Sequence, residues 1–417
     1  MAGVPTARSV ADAAPVASLN ILRLVAATPG VLSPMVPGSF AIPDEEPLCS
    51  QYRLPRQLGP PACRQRAWAD GLAEGPGRQG SDLIALLVGS DVAEFVAGAL
   101  VSLTASAILV SRIERLAGRL GISEALLGLT VALAADSPEI TSAVTAAYHG
   151  QKTIGIGVVL GSNAFNVAAL LGLGSIAAKR IALHRRVVLL EGSLAIFVAI
   201  VTILSVTAST GAPVALALVA VAVVVYLVLS AASEPLLLRL GIPARAVGWL
   251  RAAVHEEEEE LSAAIGPLPR GRSDLAVALG SVAAIIVASA AMERSASAIG
   301  EHFGVSEIII GALVLAGVTS LPNAVAGVFL ARRGRGAALL SETMHSNTLN
   351  VLAGLFLPAS FVGLARLSAH GLAVTFSYGA LTLLALGLSY TGRGLDRRAG
   401  TAIIVAYAGF VAVMLAR

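Results

Sequence analysis

The amino-acid sequence predicts an all-α polytopic membrane protein, about ten transmembrane helices in two inverted-topology five-helix repeats. Three observations carry that prediction. The 417 residues are 56% hydrophobic and only 13% charged, with a mean hydropathy of +0.81, more apolar surface than a water-soluble domain can use. From about Val92 onward, apolar runs of span length alternate with short charged loops. Two stretches of the chain are also copies of one another, each an apolar helix interrupted at its centre by a polar cluster bearing a proline.

Residues 1–80 are rich in Pro, Gly, Ala and Arg without sustained periodicity and read as a disordered tail. Ile21 to Phe40 is apolar but Pro-broken, a poor span and a weak match to a signal peptide; a start codon placed too early is another account of the tail. Its Cys49 and Cys63 read as incidental thiols, or as a disulfide if the tail is exported, and two alone are too few for a metal site. Spans are expected at 92–111, 124–147, 153–177, 187–206, 213–229, 275–292, 306–330, 337–361, 372–389 and 401–416. The first repeat thus covers 81–232 and the second 274–417, with a cytoplasmic acidic loop, 233–273, between them. In that loop Glu256 to Glu260 lacks the spaced ligands and turn glycine of a calcium loop and reads as a solvated linker. Asp91 and Glu94 mark the outer boundary of the first span.

Orientation follows from the basic residues. Arg112, Arg115, Arg119, Lys179, Arg180, Arg185, Arg186, Arg332, Arg333, Arg335, Arg393, Arg397 and Arg398 fall on one side, against Lys152, Arg294 and Arg366 on the other. The basic side is expected in the cytoplasm, with both termini outside and the long loop inside, in the cell membrane. The net charge of +3 is spread over loops rather than gathered in a patch, so nucleic acid is not an expected partner. Neither a His-Glu-x-x-His metal motif nor a Gly-x-Ser-x-Gly nucleophile turn is present, and an enzyme is not expected.

The first copy reads Ile122-Ser-Glu-Ala-Leu-Leu-Gly-Leu-Thr, then Ala135-Asp-Ser-Pro-Glu139, then Gly161-Ser-Asn-Ala-Phe-Asn166. The second reads Val305-Ser-Glu-Ile-Ile-Ile-Gly311, then Val318-Thr-Ser-Leu-Pro-Asn323, then His345-Ser-Asn-Thr-Leu-Asn350. Four complete spans separate the two Pro-centred ones, so the second copy crosses the bilayer in the opposite direction. Such inverted repeats permit alternating access around a site at mid-membrane. Pro138 and Pro322 each open a helix and free carbonyl oxygens at that depth. Asp136, Ser137 and Glu139 surround one break; Thr319, Ser320 and Asn323 surround the other. The partner helices add Ser162 and Asn166, matched by Ser346 and Asn350, each pair four residues apart and therefore on one face. Gly155, Gly157, Gly161, Gly172 and Gly174 are expected to let the first partner helix pack closely. Serine, threonine and asparagine in a membrane helix also serve as plain interhelical hydrogen-bonding groups. Asp136 and Glu139 differ: an intramembrane carboxylate costs at least ~2.5 kcal/mol at the helix centre, so it marks a site.

At these residues the chain resembles the calcium/cation antiporter superfamily, the sodium/calcium exchanger fold. That family carries two inverted repeats of a Gly-Thr-Ser-x-Pro-Glu type element followed by a Gly-Ser-Asn-x-x-Asn or Asp element. The resemblance covers roughly residues 90–417 and implies cation-binding roles for Glu139, Ser162, Asn166, Thr319, Ser320, Ser346 and Asn350. The residues at the breaks add Asp136, where the family usually has a hydroxyl, with Ser137 and Asn323, so that Glu139 and Asp136 are the expected metal-binding acids. The resemblance implies inorganic cations and the lipid bilayer as partners, no resident cofactor, and exchange of Ca²⁺ for Na⁺ or H⁺. A monovalent-cation exchanger, or a degenerate member that does not transport, are the alternatives.

The second repeat departs from the pattern with Asn323 where the family has an acid and His345 where it has Gly. Counting shows a further departure: Gly128 and Gly311 are 183 apart, but Pro138 and Pro322 are 184 apart. One residue is therefore missing from the first repeat within 129–137, which leaves Asp136 opposite either Thr319 or Ser320. Glu342 lies one turn before Ser346 on the same stripe. It either replaces the missing acid, serves a proton path, or is a polar residue nearer the entrance. His345 either exchanges protons near neutral pH or packs as a neutral ring.

Overall fold

The computed structural model describes residues 78–120, 132–207, 210–262 and 273–416. The tail through residue 77, with its two cysteines and the 21–40 stretch, lies outside the described residues, as does the Ile122–Thr130 copy of the repeat. The chain divides into Met1–Leu87 and Val88–Arg417, and apart from residues 78–87 of the first helix the description below concerns the second unit.

Helix dominates because apolar sequence in a bilayer has to satisfy its backbone internally. In chain order the helices are α1 (Arg78–Leu120), α2 (Ser137–Tyr148), α3 (Lys152–Ala178), α4 (Arg185–Val206), α5 (Ala212–Ala231), α6 (Glu234–Arg239), α7 (Ala244–Ser262) and α8 (Asp274–Phe303). They continue with α9 (Glu307–Thr319), α10 (Leu321–Arg332), α11 (336–362), α12 (Ala369–Gly392) and α13 (Arg397–Leu415). Two three-residue strands, β1 (Arg180–Ala182) and β2 (Gly394–Asp396), pair antiparallel with Ile181 opposite Leu395, a small exception to the all-α expectation.

Among the described residues seven single helices are long and apolar enough to cross a membrane, and α9 with α10, bent by 50°, makes an eighth if the pair is one span. Of the two other expected spans, 124–147 begins outside the described residues. The other, α11, is helical throughout but carries Ser341, Glu342, Thr343, His345, Ser346, Asn347, Thr348 and Asn350, and so falls short on apolarity. The stretch expected as a long acidic loop holds α6 and α7. These pack through Leu237, Val247, Leu250 and Val254, while Glu256 meets His184 and Arg186 at the start of α4.

The most buried span is α3, 94% enclosed by protein, against 22% for α5 and α13. A helix surrounded in this way can afford polar side chains, because every face meets protein rather than lipid. At its crossing with α9 the backbones touch. A Cβ on Gly161 would lie 2.3 Å from the Ala312 carbonyl oxygen, and one on Gly311 would lie 2.3 Å from that of Ile154. Gly157 sits in the same crossing and Gly155 against Ala143 of α2, whereas Gly172 and Gly174 meet α13, α10 and α11 instead. Both α3 and α11 widen into a π-helical turn at the same place in the repeat, Val167–Leu173 after Asn166 and Asn350–Phe356 at Asn350. Such widened turns cluster at functional positions because they re-aim the flanking side chains.

A buried oxygen site at the paired helix breaks

The two breaks have the same backbone. Asp136 sits at φ −81°, ψ 0° before α2, and Ser320 at φ −86°, ψ 1° before α10. Pro138 and Pro322 then occupy the second helical position, where the missing N–H costs nothing. Asp136 therefore stands opposite Ser320, the 184-residue offset holds from Asp136 onward, and the missing residue falls before it.

The side chains at the breaks bond crosswise. Asn323 of the second repeat donates to Asp136 Oδ1 at 2.8 Å, and Ser320 donates to Glu139 Oε1 at 2.7 Å. Each break residue thus meets the residue three positions beyond the other break, as twofold-related segments require. Asn323 reaches Glu139 Oε1 as well, at 3.4 Å, and Ser346 donates to Asp136 Oδ1 at 2.7 Å. Both carboxylates come from the first repeat, and their hydrogen-bond donors come from the second. Asp136, Glu139 and Ser320 are all completely enclosed.

The partner helices close the network. Asn166 donates to Ser346 Oγ at 3.0 Å and to Asn347 Oδ1 at 3.3 Å, while Asn350 donates to Asn163 Oδ1 at 3.3 Å. Asn163 and Asn347 bond reciprocally, each amide nitrogen to the other's backbone carbonyl, at 3.0 and 3.1 Å. These two residues pin α3 to α11 across the pseudo-twofold axis and were given no role from sequence. Their recurrence 184 residues apart was the signal that could have found them.

Several enclosed oxygens are left over. Asp136 Oδ2, Glu139 Oε2, Ser162 Oγ, Asn166 Oδ1 and Asn350 Oδ1 have no hydrogen-bond partner among the described residues. A buried acceptor without a donor costs about 1–3 kcal/mol, and more when charged. Two carboxylates with amide and hydroxyl oxygens form the hard donor set that Ca²⁺ or Na⁺ takes, and two negative charges match one divalent ion. Among the described residues no three of His, Cys, Asp and Glu gather into one cluster, so amides and hydroxyls have to complete any such shell.

Other expected residues are placed elsewhere. Ser137 donates to the Ala134 carbonyl at 2.6 Å, which Ser106 of α1 also approaches at 3.2 Å; carbonyls opened by the first break are thereby satisfied by hydroxyls. Thr319 donates to Leu315 within its own helix. Glu342 is half-buried and close enough to Asp136 for their charges to interact. His345 meets a different carboxylate: its Nε2 lies 3.2 Å from Glu191 Oε2 and its ring packs edge-on to Tyr226 at 5.0 Å. Tyr226 in turn donates to Glu191 Oε1 at 2.7 Å. Glu191, fully enclosed in α4, was missed from sequence although an acid inside an apolar span is itself a signal.

Asn323 therefore does more than stand in for an absent acid. Replacing it by Glu removes the donor shared by both carboxylates and sets a third charge against them. Asn323→Glu is expected to melt at least about 5 °C lower without divalent ions and to regain that loss when Ca²⁺ is added. Thermal unfolding with and without Ca²⁺ checks this; equal melting in both conditions would show that the amide is not needed to hold the pair.

Residues 91–233 and 273–416 match the family described as sodium/calcium exchanger protein. A protein of Alkalimonas amylolytica named as an antiporter, CaxA, is 27% identical over 71% of this chain and 89% of its own length. Human sodium/potassium/calcium exchanger 4 is 31% identical over 27% of this chain, a match that spans only 20% of that relative's length. Among solved structures, an H⁺/Ca²⁺ exchanger, CAX, superposes over 78% of this chain and 87% of its own, with TM-score 0.56 at 14% identity. A sodium–calcium exchanger, NCX_Mj, superposes over 79% and 99%, with TM-score 0.51 at 19% identity. At these identities the structural likeness establishes the fold.

Proposed function

The chain belongs to the sodium/calcium exchanger protein family, and from that premise we propose that it is a secondary active antiporter exchanging Ca²⁺ for Na⁺ or H⁺ by alternating access. The observation that carries this reading is the set of enclosed oxygens without donors, on Asp136, Glu139, Ser162, Asn166 and Asn350, at the meeting point of two inverted helix breaks. A dehydrated cation is the ligand that satisfies such a set. Asp136 and Glu139 supply the charge. Ser320, Asn323 and Ser346 hold one oxygen of each carboxylate and leave the other for the ion. Ser137 and Thr319 act on the helix breaks rather than on the ion. The protein lies in the cell membrane with its basic loops, α6 and α7 in the cytoplasm, and the face bearing Lys152, Arg294 and Arg366 outside.

Rocking of one repeat against the other exposes the ion alternately to each face, and the crosswise bonds make either carboxylate's environment depend on both repeats. The test is flux in proteoliposomes. Purified protein should accumulate ⁴⁵Ca²⁺ against an imposed opposing Na⁺ or proton gradient, and collapse of that gradient should stop accumulation. Exchange of ²²Na⁺ for protons with no Ca²⁺ movement would replace the calcium reading by the monovalent one. Absence of flux for every cation from folded protein would mark a non-transporting member.

A further inference from the structure

Helix α8 is apolar and only one-third buried over its span, yet it carries an enclosed acid near its C-terminal end. Glu293 is 1% exposed, and its Oε1 has no hydrogen-bond partner among the described residues. Its other oxygen lies 3.2 Å from His149 Nδ1, at the C-terminal end of α2. A carboxylate at that place is unfavourable as a structural element alone. The end of α2 already presents partial negative charge, about half an elementary charge, so a cation is attracted there by both.

The position of Glu293 gives it a role. Ser289, Glu293 and Ser297 recur every four residues and share one face of α8. Ser289 is enclosed and donates to the Pro138 carbonyl, the residue next to Glu139, at 3.5 Å. Glu293 follows one turn nearer the Lys152 face. Ser297 follows another turn on, bonding Gln151 at 3.2 Å, where His149 is half-exposed. A polar strip thus leads from the broken helix to the surface along one face of α8.

We propose that Glu293 is a second cation-binding station on the path between the central site and the Lys152 face, with the His149 ring as its cap. It takes the same hard cation as Asp136 and Glu139, and so rests on the transport reading above. An ion arriving at the Lys152 face displaces His149 from Glu293, loses part of its water against the carboxylate and the α2 carbonyl end, and passes Ser289 to Glu139. The opposite face has no use for this station, so its effect is one-sided.

The test is flux in proteoliposomes holding the full chain in one known orientation, with Ca²⁺ titrated at each face in turn and the series repeated with Na⁺. Glu293→Gln is expected to raise half-saturation at the Lys152 face about tenfold. Half-saturation at the other face and the maximal rate should stay within about twofold. Equal shifts at both faces, or none, overturn the proposal. His149→Gln separates a binding role from a structural tie, since it breaks the same contact but keeps the carboxylate. It should leave half-saturation at the Lys152 face unchanged or lower, and a loss as large as that of Glu293→Gln overturns the proposal. If the wild type moves neither ion, the transport reading falls and takes this one with it; if the wild type transports and Glu293→Gln shows no one-sided shift, only this one falls.

Discussion

Glu139→Gln is expected to abolish cation exchange while the protein remains folded. The substitution keeps shape and hydrogen bonding: the amide oxygen can still accept from Ser320, which now meets the carboxylate at 2.7 Å, and from Asn323. What it removes is one of two negative charges in an enclosed space, and with it the oxygen that has no donor, Oε2. An ion that gives up its hydration shell at mid-membrane requires that charge in return. Neutralising it should lower the rate at least about a hundredfold, equivalent to ~2.7 kcal/mol of lost stabilisation. The apo protein should melt no lower than wild type, because an uncompensated buried charge has been removed. Flux assay and thermal unfolding on the same preparation check both halves. Wild-type exchange in Glu139→Gln would remove this carboxylate from the mechanism, while loss of folding would reassign it to structure.

Gly161→Ala is expected to have the second-largest effect, through one methyl group far smaller than the helices it separates. The added Cβ would lie 2.3 Å from the Ala312 carbonyl oxygen and 2.5 Å from the Ala312 Cα, both backbone atoms that no rotamer change can withdraw. Helices α3 and α9 have to move apart. Overpacking of this kind costs about 1–3 kcal/mol, and the separation also pulls Ser162 and Asn166 away from the second repeat. Thermal stability should fall by several degrees and exchange by about tenfold or more. Gly280→Ala supplies the control: nothing lies within 4 Å of its added Cβ, so that variant should match wild type or exceed it slightly. Equal behaviour of the two variants would show that the crossing is not tight in the working protein.

Much of the site was legible because membrane helices make polar residues conspicuous. Asp136 and Glu139 stand out as acids in an apolar span, and repetition singles out Ser162, Asn166, Ser346 and Asn350 from ordinary interhelical hydrogen-bonding groups. Glu293 escaped because apolarity ends there: the expected span stopped at residue 292, whereas α8 continues to Phe303. A helix survives past the point where hydropathy stops when protein, not lipid, receives its polar face. Glu191 lies inside an expected span but has no counterpart in the other repeat, so repetition gave no help. Helix α7 was read as linker because five consecutive glutamates outweighed the apolar stripe at Val247, Leu250 and Val254, which only docking makes visible.

The amino-acid sequence by itself determined the membrane class and the two inverted copies, and it singled out Asp136 and Glu139 as acids within an apolar run, since each rests on local composition and on the parity of spans. Only the tertiary structure decided that Asp136 faces Ser320's position rather than Thr319's, because alignment across a one-residue gap is degenerate whereas backbone angles at a helix break are not. It also decided the partition of labour, with charge from the first repeat and donors from the second. That partition depends on which side chains cross the pseudo-twofold axis, and a distance between segments 184 residues apart is set by packing, not by sequence spacing.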